Sequence, residues 1–356
     1  MITLAQSAIP ILPAELDTDP WLFNCQNGTL GLMNTGELRP HQREDFITNT
    51  CLVDYGPSAE APTWKAFLNR IMAGNQNLIA FLQRAAGMSL TGITSERVMF
   101  ILYGTGANGK TTFLEALRGV LGDYALRTPT ETLLAKRDGA IPCDVARLRG
   151  ARFVTASEAE QDKKLAESLI KDLTGGDTVS ARFLHGEWFD FKPECKLWLA
   201  TNHKPVIKGT EPAIWDRIRL IPFNVTIPEG ERNPKLLDLL LAEAPGILNW
   251  LVKGCLAWQH EGLGTPDEVK KATGGYRLEM DVLGTFLAEM TIDKPEATVE
   301  ASSLYESYRS WCQGNSEETI TGTAFGRAMG EKGYEKGNAV GTRRVIYKGI
   351  GLLSRD

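Results

Sequence analysis

The segment with the clearest chemical meaning is GTGANGKTT, residues 104–112. It matches GxxxxGK[ST], and it lies between an apolar run typical of a buried strand (98–103) and an amphipathic pattern that predicts a helix (110–121). In that setting glycines let backbone N–H groups converge on phosphate oxygens, and the helix N-terminus adds partial positive charge. We therefore predict a nucleoside triphosphate site formed by Gly104, Thr105, Gly106, Ala107, Asn108, Gly109, Lys110, Thr111 and Thr112.

Side chains inside and after this loop have specific expected roles. Lys110 would hold the β- and γ-phosphates, and the Thr111 hydroxyl would ligate Mg²⁺. Hydrolysis also needs an acidic group at the end of a neighbouring strand, to hold Mg²⁺ through water and to orient the attacking water. Glu158 and Glu160 follow the apolar run 151–157 and are the candidates, so the predicted metal ligands are Thr111, Glu158 and Glu160. The competing interpretation is a pair of solvated glutamates that open the next helix.

The elements that must position these residues are also visible in the sequence. Apolar runs that alternate with helical segments predict an α/β fold with a largely parallel sheet, its strands at 98–104, 151–157, 196–202 and 217–223. Upstream, residues 20–56 predict a few short strands, and residues 63–90 predict two amphipathic helices broken at Gly74. We expect a core preceded by a small strand and helical module.

The C-terminal part of the chain has a different character. Residues 261–276 are Gly-rich and polar and indicate a boundary, after which three helical patterns and a terminal hairpin suggest a winged helix-turn-helix. From Thr321 to Asp356 seven Lys and Arg stand against three acids, although the whole chain has a formal net charge of −5. A wing could contact DNA phosphates through Arg343, Arg344 and Lys348. A packing module with solvated basic residues is the equally supported alternative.

Length and composition bound the remaining possibilities. With 356 residues, more than one domain is expected, and we predict domains at 1–85, 86–265 and 278–356. No long apolar run and no signal peptide pattern occurs, which predicts a cytoplasmic protein without a membrane partner. Six widely spaced cysteines favour reduced, mostly buried thiols over a zinc site.

Several motifs, in this order and spacing, resemble the superfamily 3 helicase domain of phage and plasmid primase-helicases, and poxvirus replicative NTPases share that helicase type. They are the loop with Asn before Gly-Lys, SEAE (157–160), LTGGDTVSAR (173–182), FKPECKLWLATNHKP (191–205) and WDRIRLIPF (215–223). The resemblance extends from about Trp21 to the C-terminus. It implies an AAA+ P-loop NTPase core that forms a homo-oligomeric ring, usually a hexamer, on single-stranded or forked DNA.

The resemblance also assigns roles by position. Lys110 and Thr111 match the Walker A residues, and Glu158 and Glu160 match the Walker B acids. Asn202 matches the sensor that touches the γ-phosphate or the attacking water; an isolated Asn at this position would otherwise be a turn residue before proline.

The same resemblance places an arginine finger near residue 217. Arg217 matches the residue that reaches the nucleotide of the neighbouring subunit and neutralises transition-state charge. Arg219 faces the same side of a strand and could take that role instead. Because Asp216 stands where some relatives carry a basic residue, the choice stays open, and a surface ion pair of Arg217 with Asp216 is the alternative.

Residues 174–193 predict a β-hairpin with Gly186 near its tip. In the resembling helicases a hairpin here lines the central pore and carries basic side chains to the DNA backbone. The candidates for DNA contact are Arg182, His185 and Lys192, with Phe183 or Trp188 as stacking surfaces. Core packing is the better interpretation for Phe189 and Phe191, and Lys171 either reaches a neighbour's nucleotide or is solvated.

The function implied is an ATP-dependent DNA helicase or translocase of a phage, prophage or plasmid replication system. The alternative is a replication initiator or loader NTPase in which ATP drives assembly. A guanine-nucleotide switch is disfavoured because the NKxD motif is absent, and a small-molecule kinase would leave the basic C-terminal module unexplained. Many such helicases carry a primase or polymerase domain upstream. Since Asp17 and Asp19 are better explained as a turn or helix cap, we expect a fragment or a stand-alone helicase, with priming left to another domain or partner.

Overall fold

A computed structural model describes residues 11–12, 15–135, 143–158, 161–184, 186–209, 211–315, 317–339 and 344–353. The chain divides into two compact units, which are taken separately below. Unit 1 comprises Met1–Val206 with Asp216–Thr273, and unit 2 comprises Ile207–Trp215 with Gly274–Asp356. The three domains expected from the sequence, 1–85, 86–265 and 278–356, stay a prediction.

Unit 1 begins with a small antiparallel sheet followed by two helices. The strands, in the order β1-β2-β3, are β1 (Leu22–Cys25), β2 (Gly28–Gly31) and β3 (Glu37–Arg39). The helices are α1 (Pro62–Ile71) and α2 (Gln76–Met88). Between the helices Gly74 has a φ of 74°, and the Asn75 side chain caps α2 by accepting from two backbone N–H groups. The predicted strands and the helix break at Gly74 are confirmed.

The chain then alternates strands and helices. From residue 99 to 280 the elements are β4 (Met99–Tyr103), α3 (Lys110–Leu121), β5 (Ala125–Arg127), α4 (Cys143–Ala146), β6 (Phe153–Ser157), α5 (Glu167–Gly175), β7 (Val179–Arg182), β8 (Trp188–Phe191), β9 (Lys196–Thr201), α6 (Pro212–Trp215), β10 (Ile218–Pro222), α7 (Leu236–Ala242), α8 (Ala244–Glu261) and α9 (Asp267–Met280). Short 3₁₀ turns lie at Arg43–Asp45, Gly122–Tyr124, Thr130–Thr132 and Glu229–Glu231. The segment 261–276, expected to be a polar boundary, is largely helical in α9. Asp267 and Glu268 in the first turn favour a helix there.

Five of these strands form one parallel sheet in the order β10-β4-β9-β6-β5. All six residues of β9 are buried, as expected for a strand covered on both faces. The predicted α/β architecture with a largely parallel sheet is therefore confirmed. The three-residue edge strand β5 is absent from the prediction because so short a segment carries no apolar run.

A continuous apolar core joins the N-terminal elements of unit 1 to its parallel sheet. Trp64 of α1 stacks on Phe113 of α3 at 5.6 Å and meets Trp250 of α8 edge-on at 5.4 Å. In the sheet itself Phe100 stacks on Trp198 at 4.3 Å. Truncating a buried aromatic side chain in such a core typically costs about 3–5 kcal/mol, so these contacts hold the helices firmly against the strands.

A buried arginine adds polar links to the same core. Arg152, only 3% exposed, donates through Nη1 to the carbonyl oxygens of Leu22 at 2.7 Å and Leu90 at 2.8 Å. Its guanidinium lies over the Tyr124 ring at 4.8 Å, and burial lowers its pKa. Because a buried cation is costly without partners, these bonds fix the first strand relative to the start of β6.

Unit 2 has its own helices, sheet and core. Its elements after residue 280 are α10 (Val282–Met290), β11 (Thr291–Glu300), α11 (Ala301–Gly314), α12 (Gly322–Glu331), β12 (Lys336–Asn338) and β13 (Val345–Leu352). The strands form an antiparallel sheet in the order β11-β13-β12, against a core that includes Phe286, Tyr308 and Phe325. The three helices and the terminal hairpin are confirmed, whereas β11 is not predicted. Pro295 and the charged residues of β11 hide its strand pattern.

Two expectations from composition can be compared with the structure. All six cysteines are free thiols and five are buried, which confirms the expectation of mostly buried thiols. Across the described ranges, no single helix combines the length and apolarity needed to cross a membrane. A bent pair, Glu229–Ala242 with Ala244–Glu261 at 74°, meets that criterion only when the two are counted together.

Candidate functional site

The carboxyl ends of three adjacent parallel strands bring the predicted site residues together. Gly104, Asn202 and Glu158 directly follow β4, β9 and β6, which are neighbours in the sheet. The last residues of β4 and β9 pair in register, and the Glu158 N–H donates to the carbonyl of Ala200 at 2.8 Å. Since neighbouring strands lie about 4.8 Å apart, the backbones of Gly104, Asn202 and Glu158 fall within roughly 10 Å of one another.

The Lys110 ammonium lies between the phosphate loop and the end of β9. It is 5% exposed, and Nζ donates to the carbonyl of Gly104 at 2.7 Å, to Oδ1 of Asn108 at 2.9 Å and to Oδ1 of Asn202 at 3.0 Å. These acceptors are neutral, so they orient the ammonium without cancelling its charge. Burial lowers the pKa of Lys110 to about 8. The arrangement holds a desolvated positive charge at the start of α3, where an anionic ligand would be strongly favoured.

Asn108 has a role that sequence reasoning missed, because it was assigned only as a loop residue. Besides accepting from Lys110, it donates through Nδ2 to the carbonyl of Phe223 at 3.3 Å. Gly104 lies so close to both groups that a Cβ on it would be 2.3 Å from Nδ2 of Asn108 and 2.4 Å from the Phe223 carbonyl oxygen. Glycine is therefore required at position 104. The sequence signal was the Asn two residues before the lysine.

The loop backbone adopts conformations suited to an anion cradle. Gly106, Ala107 and Gly109 have φ values of 108°, 48° and 84°. Gly109 is the N-cap of α3 and offers no side-chain cap, so the first-turn N–H groups are not satisfied by a capping side chain. Thr105 and Thr111 are exposed and Thr112 is half-buried. Such a helix start is a ready anion site, and the lysine lies beside it.

Alanine at Gly109 is expected to destabilise the protein more than alanine at Gly74. Both residues have positive φ, 84° and 74°, so the backbone strain is similar. A Cβ at Gly109 would lie 2.6 Å from Cγ2 of Ile71, whereas Gly74 has open space around it. We expect Gly109→Ala to lower the free energy of unfolding by about 1–3 kcal/mol more than Gly74→Ala. Equal denaturant midpoints for the two variants would show that the loop does not pack on α1.

The residues proposed to hold magnesium are only partly described. Thr111 lies in the first turn of α3, and Glu158 has a φ of 66° at the turn after β6. Glu160 lies outside the described residues. Within the described ranges no group of three or more His, Cys, Asp and Glu residues forms a metal cluster. Mg²⁺ bound with a nucleotide typically uses one or two protein ligands plus phosphate oxygens and water, and the Thr111 hydroxyl with the Glu158 carboxylate fits that donor set.

The two candidate finger arginines lie at the opposite end of the sheet. The carbonyl of Arg217 accepts from Met99 N–H at 2.8 Å, where β10 and β4 begin, and Nε donates to Oγ1 of Thr174 at 3.0 Å. The five residues of β4 separate this end from the phosphate loop by roughly 17 Å. The structure therefore does not bring Arg217 to the loop of its own chain.

Arg219 is held differently from Arg217. Its Nη1 donates to the carbonyls of Asp216 at 2.7 Å and Ile218 at 3.0 Å, so the guanidinium folds back on its own backbone. Its Nε is buried without a hydrogen-bond partner, and desolvation lowers its pKa. These contacts make Arg219 less able to extend toward another molecule.

The predicted hairpin is confirmed as the antiparallel pair β7 and β8. At its end Arg182 pairs with Trp188, and the guanidinium lies over the indole at 5.1 Å. Phe183, Leu184 and Trp188 are 52%, 70% and 57% exposed, so the tip presents large apolar side chains to solvent. His185 lies outside the described residues.

The other aromatics of the hairpin form a supporting row. Phe191 is buried. Half-buried Phe189 stacks on Phe183, with ring centroids 5.5 Å apart, and packs at a tilt against Phe191, with ring centroids 6.0 Å apart. Arg149 lies over the Phe189 ring at 5.5 Å. Packing thus explains Phe191 fully and Phe189 in part. The row stiffens the hairpin beneath its exposed tip.

The remaining basic candidates are dispersed. Lys192 is exposed after β8, and Lys171 is half-buried on α5. In unit 2, Arg344 forms an ion pair with Glu300 at 2.5 Å, and Lys348 is exposed on β13. Arg343 lies outside the described residues. Because Glu300 partly neutralises Arg344, Lys348 is the more available of these two cations.

The lowered pKa of Lys110 leads to a test of its charge. Phosphate binding requires the protonated amine, so ATP affinity should be constant below about pH 8 and fall above it by up to about tenfold per pH unit. Lys110→Arg keeps its charge at these pH values and should give a flat profile. Titration calorimetry from pH 7 to pH 9.5 measures both. A flat profile for the wild type would contradict a charge role for Lys110.

Comparison with known proteins adds sequence relatives. Residues 1–73 match the family model described as D5 N terminal like, and residues 102–217 match a family of unknown function, DUF5906. A candidate helicase of Acanthamoeba polyphaga mimivirus is 28% identical over 328 residues, 85% of this chain and 34% of that protein. A candidate helicase of Frog virus 3 is 30% identical over 260 residues, 66% of this chain and 26% of that protein. A candidate primase of African swine fever virus is 25% identical over 333 residues, 84% of this chain and 34% of that protein.

Solved structures share the fold. The apo C-terminal region of NrS-1 matches with a TM-score of 0.55 at 14% identity, covering 84% of this chain and 77% of that chain. A second structure of that region gives a TM-score of 0.53 at 13% identity, over 84% and 78% of the two chains. At such identity the likeness concerns the fold alone. The chain spans about a third or less of the length of the curated relatives it matches.

These relatives are named as helicases and primases, so the chain is similar to helicase-like NTPases of viral replication systems. The resemblance expected from the motifs is confirmed. The chain resembles the helicase region of D5-like primase-helicases of large DNA viruses.

Proposed function

We propose that the protein is an ATP-dependent DNA helicase or translocase that works as a ring. The observation that carries the proposal is the Lys110 ammonium, buried at the carboxyl edge of a parallel sheet and oriented by Asn108 and Asn202. A strand-ending amide bonded to the loop lysine can respond to whether a γ-phosphate is present. The relatives named as helicases support coupling of this site to DNA.

The strand order supports an AAA+ core of the superfamily 3 type. Numbered along the chain, the five parallel strands lie in the order 5-1-4-3-2, with the phosphate loop after the first and the amide after the fourth. The acid follows the third strand, next to the strand of the amide. Arg217 directly precedes the fifth strand, at the end of the sheet away from the loop, which supports a role toward a second subunit rather than toward its own loop.

The positions of this chain's residues support the following assignments of chemistry. Lys110 and the first-turn N–H groups of α3 bind the phosphates, and Asn202 orients the γ-phosphate or the attacking water. Glu158 would accept a hydrogen bond from that water and, with Thr111, would hold Mg²⁺. The ion would supply positive charge that offsets phosphate charge. Arg217 of the adjacent subunit stabilises the transition state. The second acidic candidate, Glu160, lies outside the described part of the chain.

The DNA contact is proposed at the tip of the β7–β8 hairpin. Exposed aromatic rings next to a cation suit single strands, because base stacking and backbone attraction need no sequence. In unit 2, a winged-helix role is supported by the order of elements, which is helix, strand, helix, helix, strand, strand. The wing would include β13, which carries Lys348 and is directly preceded by Arg344. Since the relatives are about three times longer and include one named as a primase, a primase or polymerase domain or partner is part of the proposal.

The proposal is tested by DNA-stimulated ATP turnover. Single-stranded DNA should stimulate the wild type, and Phe183→Ala with Trp188→Ala should weaken DNA binding by about tenfold or more, because each base stack is worth about 1–3 kcal/mol. Leu239→Ala, at a residue 47% exposed on α7, is the matched control for losing an exposed apolar side chain. Turnover in which DNA has no effect, with DNA binding intact, would favour the initiator or loader alternative.

A further inference from the structure

A groove of about 450 Å³ in unit 1 lies close to the phosphate loop. One wall is the end of α1 and the start of α2, with Ile71, Met72 and Leu78. The opposite wall is the chain after β10 together with α9, with Val225 and Ala272. These side chains are apolar, so the groove can desolvate a flat, weakly polar group.

Both walls of this groove contact the loop directly. A Cβ at Gly109 would lie 2.6 Å from Cγ2 of Ile71, so the end of α1 packs against the residue that precedes the loop lysine. From the other wall, the Phe223 carbonyl accepts from Nδ2 of Asn108, and both chain neighbours of Phe223 line the groove. A nucleotide whose phosphates lie on the loop therefore has its base within reach of the groove.

The polar edge of the groove is an acceptor. Glu268 lies at the start of α9 and accepts through Oε1 from Nδ2 of Asn75 at 2.7 Å. This hydrogen bond lowers the pKa of Glu268, which keeps its carboxylate ionised at neutral pH. An ionised carboxylate favours a base edge that carries an amine donor.

We propose that this groove is the nucleobase pocket of the triphosphate site, which rests on the proposed function. The base lies between the α1–α2 turn and the segment after β10. Adenine, guanine and cytosine each carry an exocyclic amine that can donate to Glu268, whereas uracil has none. The pocket thus contributes affinity for the nucleoside and discriminates against uridine triphosphate.

The experiment compares ligands with and without a base. Titration calorimetry with Mg·ATP, Mg·UTP and magnesium tripolyphosphate is carried out on the wild type, Ala272→Phe and Val225→Phe, which fill the groove from one wall. Lys270→Phe adds the same ring at an exposed position of α9 and is the matched control. We expect the two groove variants to bind ATP about tenfold or more weakly than the wild type, while their affinity for tripolyphosphate is unchanged. We also expect the wild type to bind ATP about tenfold more tightly than UTP.

The outcomes separate this inference from the proposed function. Unchanged tripolyphosphate binding shows that the filled variants are folded and that their loop is intact. If both groove variants bind ATP like the wild type, or if the wild type binds ATP and UTP equally, the pocket assignment is wrong while the triphosphate site stands. If the wild type binds neither ATP nor tripolyphosphate, the triphosphate site itself is wrong and the pocket assignment falls with it.

Discussion

Replacing Lys110 with methionine is expected to abolish Mg·ATP binding at millimolar nucleotide and to lower ATP turnover by about a hundredfold or more. The ammonium is buried beside the loop and bonded to three neutral acceptors, none of which cancels its charge, so that charge is available to phosphate oxygens. Methionine has a similar length but offers no donor and no charge. Calorimetry and a phosphate-release assay measure the two effects.

The control for this variant is stability without nucleotide. Since burial lowers the pKa of Lys110, the folded protein below about pH 8 holds a charge that the unfolded chain would solvate better. Lys110→Met should therefore unfold at a temperature no lower than the wild type, and Lys65→Met, at an exposed lysine on α1, should leave binding unchanged. Retained ATP affinity in the folded Lys110→Met protein would contradict the assignment of the loop.

Arg217→Ala is expected to lower turnover by about a thousandfold while ATP affinity changes little. An arginine finger contributes about 10³–10⁵ in rate because it meets charge that develops in the transition state. Arg217 lies at the amino end of β10, roughly 17 Å from its own loop, so its loss should leave ground-state binding intact. Single-turnover hydrolysis and calorimetry on the same sample separate rate from affinity.

Arg219→Ala is the matched variant that distinguishes the two candidates. Arg219 bonds to the carbonyls of Asp216 and Ile218 rather than extending outward, so its loss should affect turnover much less than loss of Arg217. The reverse ranking, with Arg219→Ala inactive and Arg217→Ala active, would assign the finger to Arg219.

Local patterns in the sequence predict the elements well because their causes are local. Apolar runs mark β4, β6, β9 and β10, and the loop glycines mark the turn before α3. The strand order could not be derived from these patterns, because it depends on which buried strands meet over long separations in sequence. It follows only from the registers, such as that of β9 between β4 and β6.

The site was predictable in its residue types and less so in its contacts. The bonds from Lys110 to Asn108 and Asn202 join residues up to 92 positions apart, and no periodicity encodes them. The separation of Arg217 from the loop likewise depends on β10 being parallel to β4. Short or charged strands such as β5 and β11 give no usable signal, because packing rather than propensity fixes them.

The most direct test of a site shared between subunits is ATP turnover in mixtures of two inactive variants. Lys110→Met lacks the loop lysine but keeps Arg217, and Arg217→Ala keeps the loop lysine but lacks the proposed finger. If subunits exchange in a ring, mixing should restore part of the wild-type turnover, with stimulation by single-stranded DNA. Mixtures that stay as inactive as the separate variants, or an Arg217→Ala protein that is fully active alone, would contradict a shared site.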